Sequence, residues 1–171
     1  KEDEKIIFKY IKESKKEKIK WIIAPHDISK KNIERLQSTL TSNYCIYSDL
    51  SNNNVHGNIL ILNTIGDLKG VYRYSDISYI GGGMGSSGLH NILEACIYNK
   101  PVIIGKNYSG FIEAEQLVES GGVASVKDYN EFKLEIEKLI YDKKNIMDKA
   151  NIISNYIKTK TGALSVIKKQ L

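Results

Sequence analysis

A parallel α/β architecture, with helices on both faces of the sheet, follows from three features of this sequence. Short apolar runs (KIKWIIAP, NILIL, VII, VASV) alternate with longer segments of helical spacing. The connections between them are two to six residues long, as in strand-helix-strand units. The run NILIL is also nearly all apolar, the mark of a strand buried on both faces of a parallel sheet. At 171 residues the chain suffices for one well-buried domain and is short for two, so a single domain over residues 1–171 is expected.

Taken in order, Glu2 to Lys16 reads as an amphipathic helix with Ile6, Ile7, Tyr10 and Ile11 recurring among charges. The strand KIKWIIAP ends at Pro25. Ser29 can cap a helix carrying Ile33, Leu36 and Leu40, and Tyr44 to Tyr47 makes a short strand. DLSNNNVHG is a loop, NILIL a buried strand, and Gly66 to Tyr74 a short helix bearing Leu68, Val71 and Tyr72. Beyond the centre of the chain, GKNYSG reads as a loop and FIEAEQLVES as a helix ended by Gly121 and Gly122. VASV is the last strand. Asp128 and Glu131 form an Asp-x-x-Glu capping box for a helix with Phe132, Leu134, Ile136, Leu139 and Ile140. Two more helical segments follow, one with Ile146, Ile152, Ile153 and Ile157, the other with Leu164, Val166 and Ile167.

The stretch DISYIGGGMGSSGLHNILEACIYNKPVIIG, Asp76 to Gly105, organises the chain: strand, glycine loop, helix, strand. Glycines let backbone N–H groups approach a ligand, and a helix start offers further N–H groups and a positive dipole end, so a phosphate suits this place. The run NILEACIYN after the glycines has helical spacing, and inside that helix His90, Asn91 and Glu94 sit on the first turns, with Asn91 and Glu94 on one face. Glu94 lies at the margin of the apolar pattern Ile92, Leu93, Ala95, Cys96, where a carboxylate can accept both hydroxyls of a ribose. Gly-rich strand-to-helix turns also serve packing alone, and GGGMGSSG matches no strict nucleotide fingerprint. In parallel sheets ligands bind at the carboxyl ends of the strands, a rule that collects the loops Pro25 to Ile28, Asn63 to Asp67, Gly81 to His90 and Gly105 to Phe111.

The formal charge is +5, from 25 Lys and Arg against 20 Asp and Glu, with the lysines spread through the helices. That describes a solvated surface with mild attraction to an anionic partner such as a nucleotide or a membrane surface, and it does not call for nucleic acid. Cys45 and Cys96 sit far apart in apolar settings without metal-ligand spacing and read as reduced, buried thiols; no metal is expected. No window has the length of apolar residues that crosses a bilayer, and no basic-apolar leader opens the chain. It opens in a helix where an α/β domain usually opens with a strand, which reads as a fragment.

Three segments, IIAPHDISKKNIERL, LNTIGDLKGVYRYSDISYIGGG and GLHNILEACIYNKPVIIGKNYSGFIEAEQLVESGG, resemble in order the carboxyl-terminal half of 3-deoxy-D-manno-octulosonic acid (Kdo) transferases, particularly the Bacteroidetes form. The most specific piece is the GxHNxLE signature, here Gly88, His90, Asn91, Leu93 and Glu94. The resemblance implies the GT-B fold, of which this chain would be the Rossmann-like donor-binding domain. It also implies transfer of Kdo from CMP-Kdo to a lipid A precursor with inversion, without a cofactor, at the cytoplasmic face of the inner membrane for the full-length protein. The fragment itself would be soluble. The family's NT-x-G-(E/D)-L loop is matched by Asn63, Thr64, Ile65, Gly66, Asp67 and Leu68, which implies backbone contacts from Ile65 to Leu68 with the cytidine monophosphate. Asn91 would lie near the phosphate and Glu94 on the ribose. The family's Ala-Pro-Arg-His loop is here Ala24, Pro25, His26 and Asp27, so a histidine replaces a permanently charged bidentate donor. The catalytic base of the family belongs to its amino-terminal domain, and no residue of this chain is assigned as base.

Two other readings use the same residues. A GT-B transferase or epimerase acting on a UDP-sugar needs a similar glycine loop and ribose carboxylate, and a non-catalytic nucleotide-binding module needs only the binding half. A dehydrogenase fits less well, because the first strand-turn lacks G-x-G-x-x-G.

Overall fold

The computed structural model describes residues 1–14, 19–40, 44–50 and 57–160. The expected alternation is present as two three-stranded parallel sheets flanked by helices. One compact unit holds Ile11–Val71, and the other holds Lys1–Tyr10 with Tyr72 onward.

In the first unit the strands are β1 (Trp21–Ile23), β2 (Tyr44–Ile46) and β3 (Ile59–Ile61), with β3 in the middle. Ile59 pairs with Trp21 on one side and Tyr44 on the other, and Ile61 with Ile23 and Ile46. The central strand is the most apolar run, and Ile59, Ile61 and the following Leu62 are buried. Helix α2 (Lys30–Leu40) turns Ile33, Leu36 and Leu40 inward, the three residues its spacing singles out. Its start is built locally: Asp27 Oδ1 accepts from the Ser29 N–H at 2.8 Å, and Ser29 Oγ from the Asn32 N–H at 3.4 Å. The Ser29 N–H and hydroxyl hold the Asp27 carboxyl below its usual range, and the neighbouring His26 and Arg35 add to this. A one-turn helix α3 (Leu68–Val71) follows β3.

The second unit places β5 (Val102–Gly105) between β4 (Ser78–Ile80) and β6 (Val123–Val126), all parallel. Every residue of β5 is buried, as its unbroken apolar run requires. The core gathers Ile80, Val102, Ile104 and Val123 from the strands with Leu117 of α5 (Ile112–Glu119) and Ile153 of α7 (Lys143–Lys160). Between them is α6 (Tyr129–Tyr141), which buries Phe132, Ile136 and Leu139. Leu134, expected on that face, is 70% exposed, because it lies two residues from Phe132 and Ile136 and falls on the other side of a 3.6-residue period. The capping box of α6 forms with a shift: Asp128 accepts from the Asn130 and Glu131 N–H groups, while Glu131 Oε2 reaches the N–H of Lys127 instead of that of the cap.

The amino-terminal helix α1 (Glu2–Ser14) buries Asp3, Ile6, Phe8 and Tyr10. The rings of Tyr10 and Tyr79 meet that of Phe132 edge-on, at 5.8 and 5.6 Å between centroids. Cys45 is half-buried and Cys96 fully buried, and neither is in a disulfide. Burial pushes the Cys96 thiol up to about 12. The expected last helix, with Leu164, Val166 and Ile167, lies outside the described residues, as do Lys15, Lys16 and His56.

One contact sets the close spacing of the β4 and β5 ends. A Cβ placed on Gly83 would stand 2.9 Å from the Gly105 nitrogen, and one on Gly105 would run into the Gly83 carbonyl carbon and the Met84 nitrogen. Gly105→Ala should therefore destabilise the protein by about 1–3 kcal/mol in a urea titration, since backbone rather than a pliable side chain must give way. Gly70→Ala, inside α3 with open space around its would-be Cβ, should instead gain roughly 0.5–1 kcal/mol.

Candidate nucleotide-binding site

The glycine loop begins where β4 ends at Ile80 and runs to α4 (Leu93–Cys96). Gly82 has φ +94°, and a side chain there would strike the Gly88 carbonyl oxygen, so the loop folds back upon itself. The His90 N–H closes the fold by donating to the Gly81 carbonyl at 3.1 Å. Gly88, with φ +86°, stands opposite the ring edge of Phe111 from the loop after β5. That second loop is tied to the first by Asn107: its N–H donates to the Gly83 carbonyl at 2.8 Å, and its Nδ2 to the Gly85 carbonyl at 2.8 Å. Glu115 Oε1 accepts from the Gly110 N–H at 2.9 Å, fixing the same loop to α5.

The helix after the loop is shorter than its spacing predicts. His90 and Asn91 precede α4 instead of forming its first turn, and both are exposed. Two local causes account for this. Asn91 Oδ1 accepts from the Leu93 N–H at 3.0 Å, an Asx turn that starts the helix late, and Asn99 adopts φ +54°, ending it early. With a single turn, α4 has little dipole of its own, so any anion here must be met by individual N–H groups and side chains. Glu94 remains in the first turn, half-buried. Its charge acts on the phenol of Tyr72, which burial first and Glu94 second push up to about 12.

The donors at the start of the loop face an internal partner. Asp3 of α1, 9% exposed, accepts from the Gly82 N–H through Oδ2 and from the Met84 N–H through Oδ1, each at 3.2 Å. The Tyr79 hydroxyl donates to the same Oδ1 at 2.7 Å. Burial, with the hydrogen bond and charge of Asp3, raises the Tyr79 phenol far above its usual value, so it stays a donor. Neither Asp3 nor Asn107 stands out in the sequence. An acidic first turn reads as an ordinary dipole partner, and an asparagine in a loop reads as a turn former.

In the other unit, the segment after β3 carries Asn63, Thr64, Ile65, Gly66, Asp67 and Leu68. Asn63 exchanges two hydrogen bonds with Ser48, from the Ser48 N–H to Oδ1 at 3.0 Å and from Nδ2 to Ser48 Oγ at 2.9 Å. Thr64 Oγ1 donates to Asp67 Oδ2 at 2.5 Å, and the Asp67 carbonyl accepts from the Val71 N–H to start α3. These bonds present Ile65, 89% exposed, and Gly66, with φ +95°, at the tip, while Leu68 is half-buried. After β1, Pro25 is half-buried and His26 exposed. Of the predicted site residues, Gly88, His90, Asn91 and Glu94 thus share one continuous segment of one unit. Pro25, His26, Ile65, Gly66, Asp67 and Leu68 lie on two loops at strand ends of the other.

No family model matches the chain. Among characterised proteins, a bifunctional glycosyltransferase/methyltransferase of Fusobacterium nucleatum is 33% identical over 153 residues, 87% of this chain and 23% of its own length. A 3-deoxy-D-manno-octulosonic acid transferase of Rickettsia bellii is 30% identical over 166 residues, 92% of this chain and 38% of its own length. The Haemophilus influenzae enzyme of the same name is 36% identical over 80 residues, 46% of this chain and 18% of its own length. The chain therefore spans roughly a fifth to two fifths of these relatives. Among solved structures, the C-terminal CMP-Kdo binding domain of WaaA from Acinetobacter baumannii superposes with a TM-score of 0.67 at 14% identity, over 88% of this chain and 96% of that domain. The α/β fold with flanked parallel sheets is that of this domain, and by sequence the chain is a relative of the 3-deoxy-D-manno-octulosonic acid transferases.

Proposed function

We propose that residues 1–171 are the donor-binding domain of a Kdo transferase, binding CMP-Kdo for inverting transfer to a lipid A precursor at the cytoplasmic face of the inner membrane. What supports this most is the pairing of fold and signature: a chain with the fold of a CMP-Kdo binding domain keeps the whole of GxHNxLE between the loop that leaves β4 and the first turn of α4. Glu94 accepts the ribose hydroxyls, and Asn91, whose Oδ1 is engaged by Leu93, turns its amide to the phosphate. The exposed backbone from Ile65 to Leu68 meets the nucleotide, with Pro25 and His26 contributing from the loop after β1. His26 brings a neutral or singly protonated ring where an arginine would bring a fixed charge, so it holds the phosphate less firmly. The chain stabilises the departing nucleotide electrostatically, and the base that activates the acceptor belongs to another part of the enzyme. Among the described residues no helix is long and apolar enough to cross a membrane. The likeness to a bifunctional glycosyltransferase/methyltransferase favours a transferase module over a sensing domain but leaves the donor to experiment.

Titration calorimetry on the 171-residue chain should show weak binding with CMP preferred over UMP and UDP. Equal affinities, or preference for UDP, would move the donor to a UDP-sugar. The chain alone should not turn over CMP-Kdo with lipid A precursor; measurable transfer would place a base within it.

Glu94→Gln keeps shape and removes one acceptor oxygen. A hydrogen bond to a charged group contributes about 1.5–3 kcal/mol, so CMP affinity should fall on the order of tenfold or more. The melting temperature should hardly move, and ultraviolet titration should find the Tyr72 phenol lower than in the unaltered chain once the neighbouring charge is gone. Loss of stability with unchanged affinity would make Glu94 a structural residue.

A further inference from the structure

We infer that Asp3 is a positioning residue of the donor site, holding the glycine loop from behind so that Gly88 to Glu94 can meet the nucleotide. The inference rests on the donor-binding reading above. A carboxylate buried as deeply as this one is costly unless several donors compensate it. Here three converge, the Tyr79 hydroxyl and the N–H groups of Gly82 and Met84. Hydrogen bonds to an ionised acceptor are the stronger kind, and two of these reach a loop whose glycines supply no side chains of their own to anchor it. The carbonyl side of the same loop is held by Asn107, which donates to Gly83, Gly85 and, at 3.4 Å, Met84. Between Gly82 and Gly85 the peptide N–H groups are thus held by a carboxylate and the carbonyls by the backbone N–H and carboxamide of Asn107. This arm of the loop is a mount, and the ligand-facing part begins after it.

Asp3 is itself well fixed. Tyr79 packs edge-on against Phe132 of α6, and Phe132 against Tyr10 of α1, so α1 and β4 are joined through one aromatic cluster. A carboxylate anchored in that way is poorly suited to swing aside for a phosphate. It suits a permanent support, from which a small displacement would carry to the groups touching substrate.

Asp3→Asn tests this on the 171-residue chain, with amide hydrogen exchange and CMP titration followed by NMR. In the unaltered chain the Gly82 and Met84 amides should exchange as slowly as strand amides. In Asp3→Asn, which keeps one acceptor and loses the charge, both should exchange at least about tenfold faster, and the CMP dissociation constant should rise on the order of tenfold. Tyr79→Phe removes only the hydroxyl bond and should leave both amides slow and CMP affinity within about twofold. Unchanged or tighter CMP binding by Asp3→Asn with loosened amides would overturn the inference, the tighter case identifying Asp3 as a competitor of the phosphate. Should Asp3→Asn fail to fold, a tenfold loss of affinity in Tyr79→Phe with both amides still slow would overturn it equally. Fast exchange in the unaltered chain refutes the contact itself. No CMP binding by the unaltered chain, with slow amides, refutes instead the donor reading on which the inference rests.

Discussion

The backbone approach of Gly83 to Gly105 is the constraint from which the rest of the candidate site follows. β4 and β5 are neighbours in a parallel sheet, and both loops must leave the same edge. Parallel strands sit about 4.8 Å apart, and here the two chains approach so closely after the strands that a Cβ on Gly83 or on Gly105 would meet the other's backbone. Glycine at both positions removes the obstacle, and the carbonyl of Gly83 then comes within reach of the Asn107 N–H. The second loop thereby becomes a brace for the first.

Bracing changes the chemistry a glycine loop can perform. Such loops are commonly read as cradles of N–H groups for phosphate, and nothing in the residue types distinguishes a cradle from a mount. The difference lies in where the polar groups are directed. Here the N–H groups of Gly82 and Met84 meet Asp3, and the carbonyls of Gly83 and Gly85 meet Asn107. With those groups engaged, the recognition proposed above falls to Gly88, His90, Asn91 and Glu94 further along the chain. The one-turn length of α4 has the same effect, because it leaves recognition to named side chains instead of a helix dipole.

Local hydrogen bonds shape the loops of the other unit in a similar way. Thr64 to Asp67 and Asn63 to Ser48 hold a tight turn whose tip, Ile65 and Gly66, is open to solvent. Single exposed apolar side chains are ordinary on protein surfaces; in the site proposed above, Ile65 would offer its aliphatic face to a planar base.

Periodicity and turn chemistry made much of this protein legible beforehand. Ile33, Leu36 and Leu40 are buried as their spacing demands, VASV is a strand from its first residue to its last, and α5 stops short of Gly121, which adopts φ +81°. These features depend on near neighbours, which the sequence displays side by side. The length of α4 and its late start at Asn91 were less legible, because a competing side-chain bond to Leu93 and the positive φ of Asn99 decide them. The sequence alone determined the parallel α/β class, most strand positions and the GxHNxLE segment, since each is written in local pattern. Only tertiary structure decided that Asp3 and Asn107 grip the glycine loop. Asp3 and Gly82 are separated by most of the first half of the chain, and hydrogen bonding at that distance depends on packing that no local pattern encodes.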